Sequence, residues 1–212
     1  MNSQAASAGK PEEVRRFDHL KQIRRFLAEK RSGVLRIQTA CGPVRLDVSE
    51  GSFLVSGDDS AVVQAVNMLI MCQVVDSAAH ELRRVGASGG AKAVPPEEIV
   101  IRACYEGTFD RARVFELSRF FSMFPPVNIR LAPMYQHAEI FPGFTEYMRL
   151  HASLLLEGEV RLAEFLMRAS SPEDLQNKVR LLVALYVLGL IIPKPKPKKS
   201  VFNRLISRIR GI

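Results

Sequence analysis

Residues 32–55 read SGVLRIQTACGPVRLDVSEGSFLV, and their period of two decides the fold. After Ser32-Gly33, Val34, Leu35 and Ile37 lead into Cys41-Gly42-Pro43, and Val44, Leu46 and Val48 then alternate with Arg45, Asp47 and Ser49. Alternation of this kind puts apolar side chains on one face of a strand and polar ones on the other. Glu50-Gly51 is a turn pair, and Phe53-Leu54-Val55 reads as a third strand. Three short strands in succession predict an antiparallel meander.

Helical patterns flank it. From Pro11-Glu12-Glu13, apolar residues recur at spacings of three and four (Val14, Phe17, Leu20, Ile23, Phe26, Leu27), and Arg15, Arg16, Lys21, Arg24 and Arg25 read as the solvated face. Ala61 to Cys72 reads as a buried helix, and His80 to Val85 as a fourth, edge strand. Gly86 to Gly90 reads as a loop, followed by helices from Pro95-Pro96 and over Asp110 to Phe121. The cluster Phe115, Phe120, Phe121 and Phe124 reads as core. A leading helix, then Gly33-Val-Leu-Arg-Ile37, Val44-Arg-Leu-Asp-Val48, Glu50-Gly51, Phe53-Leu-Val55 and Gly57 before an apolar helix resembles the PATAN domain, a bacterial signalling module. The resemblance covers about residues 14 to 110 and implies a protein-interaction role without catalysis. Asp58-Asp59-Ser60 and the Gly86 to Gly90 loop depart from it.

Pro125-Pro126 closes this unit. Beyond it come a strand at Val127 to Leu131, helices over Phe144 to Leu156 and Val160 to Ala169, and a helix opened by Ser171-Pro172-Glu173-Asp174 and stopped by Gly189. Leu190-Ile191-Ile192 adds a strand. This spacing resembles a winged-helix-like unit of the kind that follows PATAN modules, which implies DNA binding as a rival function. The candidate recognition helix is poor in cations: between Pro172 and Leu188 only Lys178 and Arg180 are basic, and Glu173 and Asp174 stand at the leading end.

The charge lies elsewhere. Of 30 Lys and Arg residues, Lys194, Lys196, Lys198, Lys199, Arg204, Arg208 and Arg210 fall within residues 193–212, which hold no acid; the rest is near neutral, 23 basic against 22 acidic. Prolines at 193, 195 and 197 favour an extended spacer. From 201 onward, steps of 100° gather Val201, Phe202, Leu205, Ile206, Ile209 and Ile212 on one arc, opposite Arg204, Arg208 and Arg210. A basic amphipathic helix after a polybasic spacer suits an anionic membrane surface. A protein groove comes second and nucleic acid third, because phosphate binding leaves the apolar arc without a role.

The sequence reading is thus an α+β chain: a disordered N-terminus (1–10), a PATAN-like domain with a small antiparallel meander and flanking helices (11–126), a mainly helical winged-helix-like domain (127–192), a basic Pro/Lys linker (193–200) and a C-terminal amphipathic helix (201–212). Met1 to Lys10 is small and polar without an apolar run, which predicts no secretory signal and a cytoplasmic body; the basic tail predicts peripheral attachment at the membrane's inner face. Cys41, Cys72 and Cys104, odd in number and far apart, read as reduced and mostly buried. Gly86-Ala-Ser-Gly-Gly90 fits G-x-S-x-G but lacks the strand before and the helix after that a nucleophile elbow needs. His19, His80, His137 and His151 have no partner at ligand spacing and read as single surface or half-buried histidines. The expectation is a non-enzymatic adaptor with no cofactor, no metal and no small-molecule substrate. Its expected partners are a cytoplasmic protein and an anionic membrane; a nucleic-acid-associated regulator is the alternative.

Overall fold

Alternation along residues 33–55 produces the strands it predicts. In a computed structural model, which describes residues 17–72, 74–81, 90–107, 110–129 and 159–193, α1 (Asp18–Ala28) leads into β1 (Gly33–Thr39), β2 (Gly42–Ser49) and β3 (Ser52–Val55). Leu35 pairs with Leu46, Ile37 with Val44 and Val48 with Phe53, so the buried side chains share one face while Arg36, Gln38 and Arg45 face solvent. Glu50 and Gly51 form the two-residue turn between β2 and β3, both at positive φ (50° and 81°), as a primed hairpin turn requires. A Cβ at Gly51 would stand 2.8 Å from the Leu27 carbonyl oxygen, so packing also excludes a side chain there.

The chain continues through α2 (Ser60–Met71), β4 (Val74–Glu81), β5 (Lys92–Val94), α3 (Pro96–Glu106), α4 (Arg111–Ser122), β6 (Val127–Ile129), α5 (Leu162–Met167), α6 (Pro172–Val187) and β7 (Ile191–Pro193). One antiparallel sheet has the order β4-β1-β2-β3-β5, and β6 pairs with β7 in a second. The chain is therefore mixed α and β. Three readings change. The edge strand begins at Val74, because β1 offers it partners from Thr39 back to Gly33; residues 82–85 lie outside the described part. Between the expected Gly86 to Gly90 loop, of which residues 86–89 lie outside the described residues, and Pro95, a stretch given no element from sequence forms β5, which pairs with Phe53, Leu54 and Val55. The helix expected over Val160 to Ala169 is shorter, since Val160 instead bridges to Val127. Residues 1–16, the helix expected over Phe144 to Leu156 and everything after Pro193 lie outside the described residues.

Helices α1, α2 and α3 lie against the sheet, and α6 packs against α1, α3, α4 and α5. Ser171 caps α6 by accepting from Asp174 N at 3.0 Å, and Asp174 accepts in return from Ser170 N at 2.8 Å. From Lys178 to Val187 nearly every residue of α6 is buried. A single buried cluster runs from Phe17 through Phe53 and Phe121 to Ile191, so the core continues across the expected boundary at 126/127. The aromatic groups tie the two sides together: Phe120 lies 4.6 Å from Phe17 and 5.6 Å from Tyr186 between ring centroids, and Phe124 lies 5.5 Å from Tyr186.

Three side chains differ from their sequence reading. Phe115, expected in the core, is 66% exposed, because it lies opposite Leu117 and Phe121 around α4. His19, expected at or near the surface, is buried on α1. Arg24, expected on the solvated face, lies 5.1 Å over the Tyr186 ring and donates through Nη2 to the Ile191 carbonyl at 3.0 Å.

Candidate functional site

The side chains singled out from sequence, Lys194, Lys196, Lys198 and Lys199, Arg204, Arg208 and Arg210, and the apolar arc of Val201, Phe202, Leu205, Ile206, Ile209 and Ile212, all lie outside the described residues. What is described is their stem. β7 pairs Pro193 with Val127 and Ile191 with Ile129, and Arg24 holds Ile191 from the other side. Burial raises the Tyr186 hydroxyl above its ordinary pKa, with Arg24 opposing, so it stays neutral and packs as an aromatic body.

The body's interior cations are committed to packing. Lys178, 1% exposed, pairs with Asp174 at 3.4 Å and lies 5.2 Å over Phe165. Arg180 Nη2 donates to the Gly107 carbonyl at 2.9 Å, joining α6 to the end of α3. Arg113 donates to the Ile70 carbonyl and to Glu116, each at 2.9 Å, and lies 4.8 Å over the Phe17 ring. Burial lowers the pKa of both arginines. None of the three is presented to a phosphate backbone. The acidic pair Asp58-Asp59 is structural: Asp58 Oδ1 accepts from Ser60 N at 3.2 Å, and Arg102 bridges to Asp59 at 2.6 Å. Hydrogen bonds from Ser60 hold the Asp58 carboxyl below the usual range.

The cysteines correct the sequence reading. Cys41 and Cys72 are joined by a disulfide, with Cα atoms 6.2 Å apart. The pairing was hidden in the sequence because it depends on topology: the β1–β2 turn carries Cys41 to the end of α2, where Cys72 is the C-cap. Cys104 is free and buried, and burial pushes its thiol up to about 12, so it remains protonated and carries no nucleophile at neutral pH. Among the described residues no group of three or more His, Cys, Asp and Glu gathers.

Among the described residues a sizeable apolar recess, a groove of about 590 Å³, lies at the N-terminal ends of α4 and α6. Val114 and Phe115 form one wall and Pro172 and Leu175 the other, while Arg111 and Glu173 put one charge of each sign at the rim. The volume lies within the usual range for ligand pockets of about 300–1,000 Å³. A second recess of about 250 Å³, between α2 and α3, is polar around Gln64, Asn67 and Glu106, and Asn67 is already spent on the Ala103 carbonyl at 2.9 Å. The groove escaped the sequence reading because Pro172 and Phe115 are distant in the chain. The one local signal was that Phe115 falls on the side of its helix away from Leu117 and Phe121. No family model, no curated protein and no solved structure matches this chain.

Proposed function

We propose that this chain is a non-enzymatic signalling adaptor. In this reading its PATAN-like body binds another protein, and residues 193–212 attach it reversibly to the anionic inner face of a cell membrane. One observation carries the reading: seven of the chain's cations, and no acid, fall in twenty residues that also segregate six apolar side chains onto one arc. Each cation near an anionic surface contributes about 1 kcal/mol before screening, and the apolar arc enters the acyl boundary. A sum of several kcal/mol supports reversible attachment.

A nucleic-acid-associated regulator would use the same cations on phosphate. The burial of Lys178 and the engagement of Arg180 favour the membrane reading, because the candidate recognition helix then adds nothing to a DNA contact. Co-sedimentation with phosphatidylserine vesicles tests this directly. The double substitution Phe202→Ser with Ile206→Ser should abolish pelleting and leave DNA retention unchanged. Undiminished pelleting by the variant refutes the membrane reading.

A further inference from the structure

The groove lies between the N-terminal ends of α4 and α6. Both helices have their N-terminal ends at the groove and their C-terminal ends at the β6–β7 pair, so they run side by side. Pro193 emerges opposite Val127, just beyond the end of α4. Residues 123–126 separate Val127 from α4, whose twelve residues are about 18 Å long and carry the groove at their far end. Residues 194–200 are the Pro/Lys-rich stretch of the sequence, and seven residues at the polyproline rise of 3.1 Å would span about 22 Å. A chain of that length is thus comparable with the length of α4. Phe115 on α4 (66%) and Met123 at its C-cap (47%) are exposed.

We infer that the apolar arc of residues 201–212 docks in the Val114–Phe115–Pro172–Leu175 groove when no anionic lipid is present. This regulates the membrane-binding segment and rests on the membrane reading given above. Charge ranks the two positions. With Arg111 and Glu173 at its rim the groove is balanced, so it takes the apolar side chains and leaves the seven cations in water. A bilayer with anionic headgroups engages both faces of the helix at once. The groove is thus the weaker site, and it withholds the helix from surfaces of low charge while yielding it to strongly anionic ones. With the groove occupied about nine-tenths of the time, the apparent vesicle affinity falls about tenfold relative to an undocked helix.

The test uses the full chain with Phe115→Asp, a substitution at a side chain exposed enough to leave the core intact, and Phe115→Ala as a milder companion. Hydrogen exchange read by mass spectrometry without lipid should speed up in residues 201–212 in both variants, more in Phe115→Asp. Phosphatidylserine vesicles should then bind Phe115→Asp up to about tenfold more tightly. Conversely, Phe202→Ser with Ile206→Ser should speed exchange at residues 111–115 and 172–176. Unchanged exchange in both directions overturns the docking, whatever the vesicles do. Changed exchange with no vesicle binding by any form keeps the docking and removes the membrane reading instead.

Discussion

Reducing the Cys41–Cys72 bond should cost this fold about 4 kcal/mol, and the reason lies in the unfolded chain. Cys41 is exposed on the two-residue turn between β1 and β2, and Cys72 is only half-buried at the end of α2, so neither sulfur fills a core position. What the bond does is close a loop of 31 residues. The chain-entropy relation for such a loop gives about 12 cal/mol/K, or about 4 kcal/mol at 25 °C. For a chain of this length the loss corresponds to a fall in Tm of roughly 8–16 °C. The assay is urea unfolding of the oxidised protein, the reduced protein, and Cys41→Ser and Cys72→Ser, with thiol titration confirming each state. Because the effect resides in the unfolded ensemble, both substitutions should match reduction, and the double variant should lose no more than either single one. The urea m value should rise on reduction, since the released unfolded chain exposes more surface. Equal urea midpoints for oxidised and reduced protein would refute the loop argument. A much larger loss in Cys72→Ser than in Cys41→Ser would place the effect in native contacts at the end of α2.

The Lys178–Asp174 pair should respond unequally to substitution: Lys178→Met keeps the packing over Phe165 and should change stability by less than about 1 kcal/mol, whereas Asp174→Ala should cost about 3–5 kcal/mol, by stranding a buried ammonium and removing a cap, as urea unfolding would measure. Alkaline stability should fall in a defined window. The Cys104 thiol has its pKa raised by burial from 9.0 to about 12, so the stabilisation from its protonated form is complete below pH 9 and is lost as pH rises from 9 towards 12; Tyr186, raised from 10.0 by burial, adds to the loss above pH 10. Circular dichroism melts across that range should show Cys104→Ala flattening the first part of the decline, and an unchanged slope would contradict the assignment.

What could be read in advance followed from local physics. The meander was legible because Leu35, Ile37, Val44, Leu46 and Val48 keep a strict period while Glu50-Gly51 supplies the turn. Helix α6 was legible because Ser171, Pro172 and Asp174 form its start within four consecutive positions. Strand β5 was not, since Lys92-Ala93-Val94 is too short to display a period and becomes a strand only through pairing with Phe53–Val55. The disulfide, Arg24 against Tyr186 and the burial of His19 depend on elements remote in sequence. The groove belongs to the same class, although the outward position of Phe115 could have been computed from its helix angle.

The seating of Ile191 has a mechanical consequence. Tension on the chain beyond Pro193 is met first by the β6–β7 ladder and by the Arg24 hydrogen bond to Ile191, and is passed from there to α1 and the rings around Tyr186. A pull on the basic arm is therefore borne by the centre of the molecule. An adaptor tethered by that arm would keep its shape under load and yield at the surface it grips.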